Sequence, residues 1–440
     1  MRSTKILAIT ITAAAITLGA NPAHAQLRVD VESGFFSPLP IAIPPFHDPG
    51  TLGLGNQIAA VTASDLERSG LFKPASPAAF LQTTESLARG PRFGDWRLID
   101  AQLLLVGSIT PASEGRFRAE FRLYDTLSES QMLALAFTSE HSNWRRVSHL
   151  IADRIYSRVL GEEGYFDSRI VYVSETGSQA NPQKRLAIMD QDGHNHRFLT
   201  DGSSLVLTPR FSPDGTQLVY LSFAAETPRV HLYDLRTRRE TLLGDFPGMS
   251  FAPRFSPDGS MVVMARAEAG NSDIYTMNLR TRSLRRLTTH PAIDTSPHFS
   301  PDGTQVVFNS DRGGKQQIYM MDTDGGNIRR VSFGKGRYAT PVWSPRGDLL
   351  AFTRIYKGVF YVGVMRPDGS GERMLARGFS VEAPSWSPNG RVISYFKEER
   401  ASNDGQQKSR LYSIDVSGYN ERQIPTPLEA SDPSWSPLNP

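Results

Sequence analysis

The sequence predicts an all-β six-bladed β-propeller, closed by its C-terminal strand and preceded by a small α/β domain with a mixed sheet. Three observations predict it. The first is a recurring unit, Pro297-His298-Phe299-Ser300-Pro301-Asp302-Gly303, with counterparts beginning at Pro209, Pro253, Pro341, Pro384 and Pro433. The second is the spacing of those prolines, 44, 44, 44, 43 and 49 positions. A period of that size carried by strands is the mark of a propeller or similar array. The third is the pair of incomplete repeats at the two ends of the array.

Each repeat has a mechanical reading. Ser-Pro-Asp-Gly is a type I turn: proline presets φ at its second position, and glycine takes the left-handed conformation that returns the chain as a hairpin. An aromatic stands before each turn (Phe211, Phe255, Phe299, Trp343, Trp386, Trp435), and β-rich runs follow it, Leu218 to Phe223 and Val306 to Asn309 among them. A second strand centres on Tyr, as in Asp273-Ile274-Tyr275-Thr276-Met277, and a turn such as Asp324-Gly325-Gly326 leads to a last strand near Arg329 to Ser332. Four short strands per repeat make a propeller blade.

The ends set the blade count. Strands at Ile170 to Val173, Leu186 to Met189 and Phe198 to Thr200 lack a motif strand ahead of them, and the last motif strand has nothing behind it. The two fragments complement each other, which predicts closure between chain ends and six blades. An open solenoid would leave two unpaired edges, which proteins normally avoid.

Residues 1–25 read as a secretory signal: Arg2 and Lys5, an apolar run from Ile6 to Leu18, then Ala23-His24-Ala25 as a cleavage site. The run is 13 residues, short of the roughly 20 that span a bilayer. Cysteine is absent, so disulfides contribute nothing. Without Arg2 and Lys5 the chain carries 46 basic and 45 acidic residues, a balance that speaks against nucleic-acid binding. In Gln26-Leu27-Arg28-Val29-Asp30-Val31-Glu32-Ser33-Gly34 the aliphatics alternate with charges, as in a half-buried strand. Such a strand pairs within its own domain or is lent to a partner.

Residues 26–163 form the α/β domain and 164–440 the propeller. Ile41 to Ile43 and Leu103 to Val106 are buried strands, and Asn56 to Ser69 is a helix stopped by Gly70. Phe117, Ala119, Phe121 and Leu123 alternate with charged residues in a strand with one wet face, partnered by Met132 to Thr138. Asn143 caps a long helix that Gly161 ends.

The search for chemistry returns little. Gly50-Thr51-Leu52-Gly53-Leu54-Gly55 lacks both the dinucleotide spacing and a P-loop lysine, so it reads as the start of a helix. No His-Glu-x-x-His and no Gly-x-Ser-x-Gly is present. Asp190-Gln191-Asp192-Gly193 and Asp322-Thr323-Asp324-Gly325 miss the glycine of a calcium loop and read as hairpin turns, with His194 and His196 solvated beside the first. Arginines at 236/238/239, 280/282/285/286 and 329/330 recur at one place in the repeat, as charges blunting outer edge strands or as an anionic-surface site. Two other classes stand beside a protein-binding scaffold. One is a hydrolase or lyase using Asp294 or Asp432 in the channel, the other a small-ligand or metal-binding propeller.

An export signal, a small α/β domain and six Pro-x-Phe/Trp-Ser-Pro-Asp-Gly repeats ending at Pro433-Ser434-Trp435-Ser436-Pro437 resemble the TolB family of the Tol–Pal system over the whole mature chain. The Gly-His and Trp-Asp signatures of WD40 blades are missing. The resemblance implies a periplasmic binding protein without cofactor or metal, not an enzyme. It implies that the channel mouth holds the lipoprotein Pal and that Gln26 to Gly34 engages TolA. Colicins are implied as further partners, the protein being a monomer that meets the membrane through partners alone. It implies support of outer-membrane integrity and of constriction at division. Residues before each motif proline are expected in loops between blades around one channel end: Met249, Ser250, Phe251 and Ala252; Asp294, Thr295 and Ser296; and Thr208, Thr340, Ala383 and Asp432. By resemblance, Ala252 and Thr295 match Pal-contacting positions, while Met249 stands where the family pattern has His.

Overall fold

The computed structural model describes residues 37–49, 52–178, 181–224, 227–244, 249–399 and 408–440. The expected signal and the segment Gln26 to Gly34 lie outside these residues.

The first domain is a mixed sheet in the order β2-β1-β3-β4-β5. Strand β1 (Leu39–Ala42) runs parallel to β2 (Phe72–Pro74) and to β3 (Leu103–Pro111). β4 (Arg116–Asp125) and β5 (Ser130–Glu140) add antiparallel. The alternation in β4 does what its period demands: Phe117, Ala119, Phe121 and Leu123 are buried. Helices α1 (Leu54–Arg68) and α4 (Trp144–Leu160) cover that face through Ile58, Leu66, Val147, Ile151 and Ile155. The short helices α2 (Thr84–Arg89) and α3 (Phe93–Arg97) enclose a second small core with Leu87, Trp96 and Leu104.

The glycine-rich stretch is the start of α1, as its spacing predicts. Gly53 is left-handed at φ 73°, and the Asp48 carboxylate accepts from the amides of Leu52 and Leu54 at 3.2 and 3.0 Å. At α4 the expected cap differs. Asn143 occupies the N-cap position but its side chain makes no capping bond, because a 3₁₀ turn over His141–Asn143 feeds the helix instead. Gly161 closes α4 at φ 73°.

Strands β6 to β29 form six four-stranded antiparallel sheets. The innermost strands are β9 (Val206–Phe211), β13 (Met249–Phe255), β17 (Asp294–Phe299), β21 (Arg337–Trp343), β25 (Ser380–Trp386) and β29 (Glu429–Trp435). They open blades 1 to 6 respectively. In blade 6, β29 pairs with β6 (Arg169–Ser178), followed by β7 (Asn181–Asp190) and β8 (Arg197–Phe198), so the ring is closed by the C-terminal strand.

The motif residues hold each turn. In blade 1 the Gly215 amide donates to the Ser212 carbonyl at 2.9 Å, the Gln217 amide donates to Ser212 Oγ at 2.9 Å, and Asp214 accepts from the Thr216 amide at 3.1 Å. Blade faces pack on their neighbours: Val263, Ala265 and Ile274 of blade 2 meet Phe299, Val306 and Phe308 of blade 3 in one cluster. Full burial of side chains this size contributes about 1.5–3 kcal/mol each. The recurrent arginines do more than blunt outer edges. Arg282 donates to the Leu243 carbonyl of the preceding blade at 3.2 Å, and Arg285 to the Asp324 carbonyl of the following one at 2.9 Å.

The two domains share a core. Tyr156 of α4, Tyr165, Phe166 and Trp435 belong to one buried cluster, with Tyr165 edge-on to Trp435 at 5.8 Å. Among the described residues no helix is long and apolar enough to cross a membrane.

Candidate functional site: the channel and its two ends

Every innermost strand runs toward its Ser-Pro pair, so the five Ser-Pro turns and the Ser436-Pro437 seam gather at one end of the channel. The β7–β8 turn lies at the same end, since strand direction alternates across a blade. The α/β domain sits on this turn end. Glu162 pairs with Arg346 at 2.9 Å, Asn389 Nδ2 donates to the Glu163 carbonyl at 2.8 Å, and Arg68 donates to Gln191 at 3.2 Å. The opposite end, where one blade connects to the next, bears no contact from that domain among the described residues.

From the turn end inward the wall is layered. The six turn prolines form a rim, followed by the motif aromatics, then by the residues after each leading proline: Arg210, Arg254, His298, Val342, Ser385 and Ser434. Beyond lies a narrower space of about 70 Å³ lined by Thr208, Ala252, Ser296, Thr340, Ala383 and Asp432.

Those last six are the residues immediately before the motif prolines, expected in loops between blades. The structure corrects this placement. All six sit within the innermost strands, each in the left-handed region at φ between 46° and 54°. Each belongs to a bulge in which the pre-proline residue and the proline face one partner residue, as Ala252 and Pro253 do between the pairs Phe251 with Ala265 and Arg254 with Val263. A left-handed non-glycine residue costs roughly 1–2 kcal/mol. Paid six times, that cost marks a conformation the ring requires, because the bulge turns these side chains into the channel.

Hydrogen bonds near the channel tie neighbouring blades and strands. The Thr340 amide donates to Asn309 Oδ1 at 3.3 Å, Asn309 Nδ2 also bonds Thr295 Oγ1, and the Trp386 indole donates to the Val342 carbonyl at 3.0 Å. Thr295 is half-buried at the start of its strand and Phe251 packs against the blade 2–3 core. Met249 and Ser250 begin β13, and their side chains lie outside the described residues. Asp294 departs from expectation: it is fully buried and held by both oxygens on Arg312 Nη2, at 3.0 and 2.8 Å, so it offers nothing to the channel. The ladder pairs Asp294 with Ser310, which carries Arg312 round to it.

Charge divides the channel. Asp432 is pushed up by burial against the pull of Arg210, and burial also raises Glu382, which lies within its field. On the other side, burial lowers the Arg210 and Arg254 guanidiniums, and holds His298 well below the ordinary imidazole range with help from both arginines.

Sequence reasoning overlooked two sets. Ile293 and Phe379 are exposed at 50 and 44 % in the connections between blades, at the uncovered end, and Phe223 joins them from the end of a second strand. The other set is Arg210, Arg254 and His298, which occupy the variable position of the motif; that variability was the signal. His196, expected in solvent, is instead half-buried edge-on to Phe198 at 4.9 Å, and burial lowers its pKa.

These features define a propeller with an attached domain: a closed six-bladed ring whose turn end carries an α/β domain on the side of blades 4 to 6, with the other end free of it among the described residues. The chain belongs to the TolB family. Residues 27–132 match the family model for the TolB amino-terminal domain, and residues 156–439 that for the TolB beta propeller domain. The Tol-Pal system protein TolB of Paramagnetospirillum magneticum is 65 % identical over 422 residues, 95 % of this chain and 94 % of that one. The protein of the same name from Pelagibacter ubique is 60 % identical over 428 residues, 94 % and 96 % of the two chains. The crystal structure of TolB from Acinetobacter baumannii superposes with a TM-score of 0.81 at 29 % identity, covering 91 % of this chain and 97 % of that one.

Proposed function

We propose that the protein is a non-catalytic, periplasmic scaffold of the Tol–Pal system that holds Pal at the uncovered mouth of its channel and engages TolA through Gln26 to Gly34. The reading rests on family membership and on the naming of its relatives as Tol-Pal system proteins. The observation that carries the docking site is the exposed apolar set Phe223, Ile293 and Phe379 at the end opposite the α/β domain. Exposed aromatics and aliphatics around a stiff mouth suit a protein partner, because little ordering is lost on binding. Thr295 and Ala252 stand inward of that rim, with Met249 at the start of the neighbouring strand. The arginine clamp on Asp294 argues against a catalytic carboxylate there. Through Pal and TolA the protein would support outer-membrane integrity and constriction during division, with colicins as competitors for the Pal site.

Titration calorimetry with purified Pal tests the site. Thr295→Arg and Ile293→Asp are expected to weaken binding at least tenfold, whereas Leu127→Asp, 70 % exposed on the α/β domain, leaves it unchanged. Equal affinity in all three moves the interface elsewhere. Deleting residues 26–34 should abolish TolA binding and leave the fold intact.

A further inference from the structure

Two guanidiniums stand at the floor of the turn-end chamber with almost nothing to pair with. Arg210 is 9 % exposed, and its one described side-chain hydrogen bond goes to the carbonyl of the adjacent Pro209, at 2.7 Å. Among the described residues the half-buried Arg254 side chain makes no hydrogen bond, and no carboxylate lies within ion-pair reach of either guanidinium. The charges acting on them are few: Asp432 attracts Arg210 from across the wall, and Arg210 itself repels Arg254. A buried charge without a partner is costly, and proteins keep one chiefly where a ligand completes it.

The space in front of the pair is shaped to receive one. The chamber measures about 350 Å³ and is walled by prolines, serines and the motif aromatics. That is near the lower end of the range for small-molecule sites, and mostly apolar walls with a few convergent polar groups are the usual composition of such sites. Its floor is asymmetric. Blades 1 to 3 contribute Arg210, Arg254 and His298, while blades 4 to 6 contribute Val342, Ser385 and Ser434. An anionic head would lie toward the first three and an uncharged remainder toward the others. His298 adds a third polar group: Nδ1 lies 2.7 Å from the Phe299 carbonyl, and burial, with both arginines behind it, suppresses its protonation.

We propose that this chamber binds a small organic or inorganic anion, a phosphate or a carboxylate, in the fork between Arg210 and Arg254. The site lies at the turn end, removed from the mouth assigned to Pal, so either assignment can fail without the other. Guanidinium pairs suit both anion types through paired N–H donors. Entry is past the ring of turn prolines, on the side of the chamber that the α/β domain flanks.

The test uses the mature chain at low ionic strength, titrated with inorganic phosphate, pyrophosphate and citrate while thermal midpoint and heat are recorded. The expected result is saturable binding at one site per chain, with a midpoint that climbs with anion concentration. The phosphate and citrate arms decide which head group the fork prefers. Arg254→Gln should weaken that binding at least tenfold and, with no anion present, raise the midpoint, because it removes an unpaired, half-buried charge that Arg210 repels. Arg329→Gln, on an outer edge strand, should change neither. A merely structural arginine gives the reverse pattern: the Arg254→Gln protein melts earlier. That result, or an anion response identical in wild type and Arg254→Gln, overturns the proposal. Competition with Pal separates the sites further, since saturating pyrophosphate should leave Pal affinity unaltered.

Discussion

Asp190-Gln191-Asp192-Gly193 and Asp322-Thr323-Asp324-Gly325 are the same turn in two places. In each, the glycine sits at φ 91° and its amide donates to the first aspartate carbonyl at 2.9 Å. In each, an asparagine five residues on (Asn195, Asn327) donates to that aspartate's Oδ2 at 2.6 Å. Their side-chain surroundings differ. The blade 3 turn faces solvent, whereas the blade 6 turn is driven between α1 and α4. There Gln191 donates to Asp65 at 2.9 Å, Asp192 pairs with Arg145, and His149 lies 2.6 Å from Asp65. Local sequence shaped both turns identically, and position in the ring turned one of them into the bolt that fixes the α/β domain.

The contrast can be broken by substitution. Arg145→Ala removes the guanidinium that pairs with Asp192 at a buried interface and leaves His149 as the main cation facing Asp192 and Asp190; it should cost about 3–5 kcal/mol in denaturant unfolding. In the exposed twin, Asp324→Asn should fall within about 0.5 kcal/mol of wild type. Comparable losses at the two turns would mean that the bolt carries no special load.

The next effect is one of pH. Burial alone would lower His149, but Asp65, Asp192 and Asp190 outweigh it and hold the imidazolium up to about 9. Arg145 and Arg68 are the opposing cations nearby. The unfolded chain releases this proton near 6.5. Folding therefore takes up a proton between those values, so the stabilisation is complete below about 6.5 and disappears as pH rises through about 9. Unfolding midpoints measured from pH 6 to 9.5 should fall along that window, and a His149→Gln variant should show a flatter profile.

A smaller and equal effect is expected at the two glycines. A Cβ on Gly193 would meet the Pro425 carbonyl oxygen at 2.5 Å, and one on Gly325 the Leu287 carbonyl oxygen at 2.6 Å. With the left-handed φ added, each alanine variant should lose roughly 1–3 kcal/mol. Matching losses would sharpen the comparison by confining the difference between the turns to their side chains.

Closure of the ring makes the same point constructively. In blade 3 the Ser300 amide donates to the Gln305 carbonyl at 2.8 Å and the Gln305 amide to Ser300 Oγ at 2.9 Å. In blade 6 the Ser436 amide donates to the Arg169 carbonyl and the Arg169 amide to Ser436 Oγ, both at 2.8 Å, although 267 positions separate the partners. The seam repeats the motif's bonds without the motif's turn. Arg146 of α4 adds a bond to the Pro440 carbonyl at 2.6 Å, anchoring the tail on the other domain.

The sequence by itself determined the repeat, the turn that ends each inner strand, the blade count and the pairing of the two chain ends. These follow from proline's fixed φ, glycine's left-handed freedom and the period of the apolar residues, all of them local. It did not determine the left-handed residue before each proline, since a residue in that position is ordinarily driven to extended geometry and only the narrowing of the ring selects the bulge. Nor did it determine the clamping of Asp294 by Arg312, the unpaired state of Arg254, or which of two identical turns became the domain joint. Those depend on which groups the closed ring brings within a few ångströms, and Coulomb and desolvation energies act over that distance rather than along the chain.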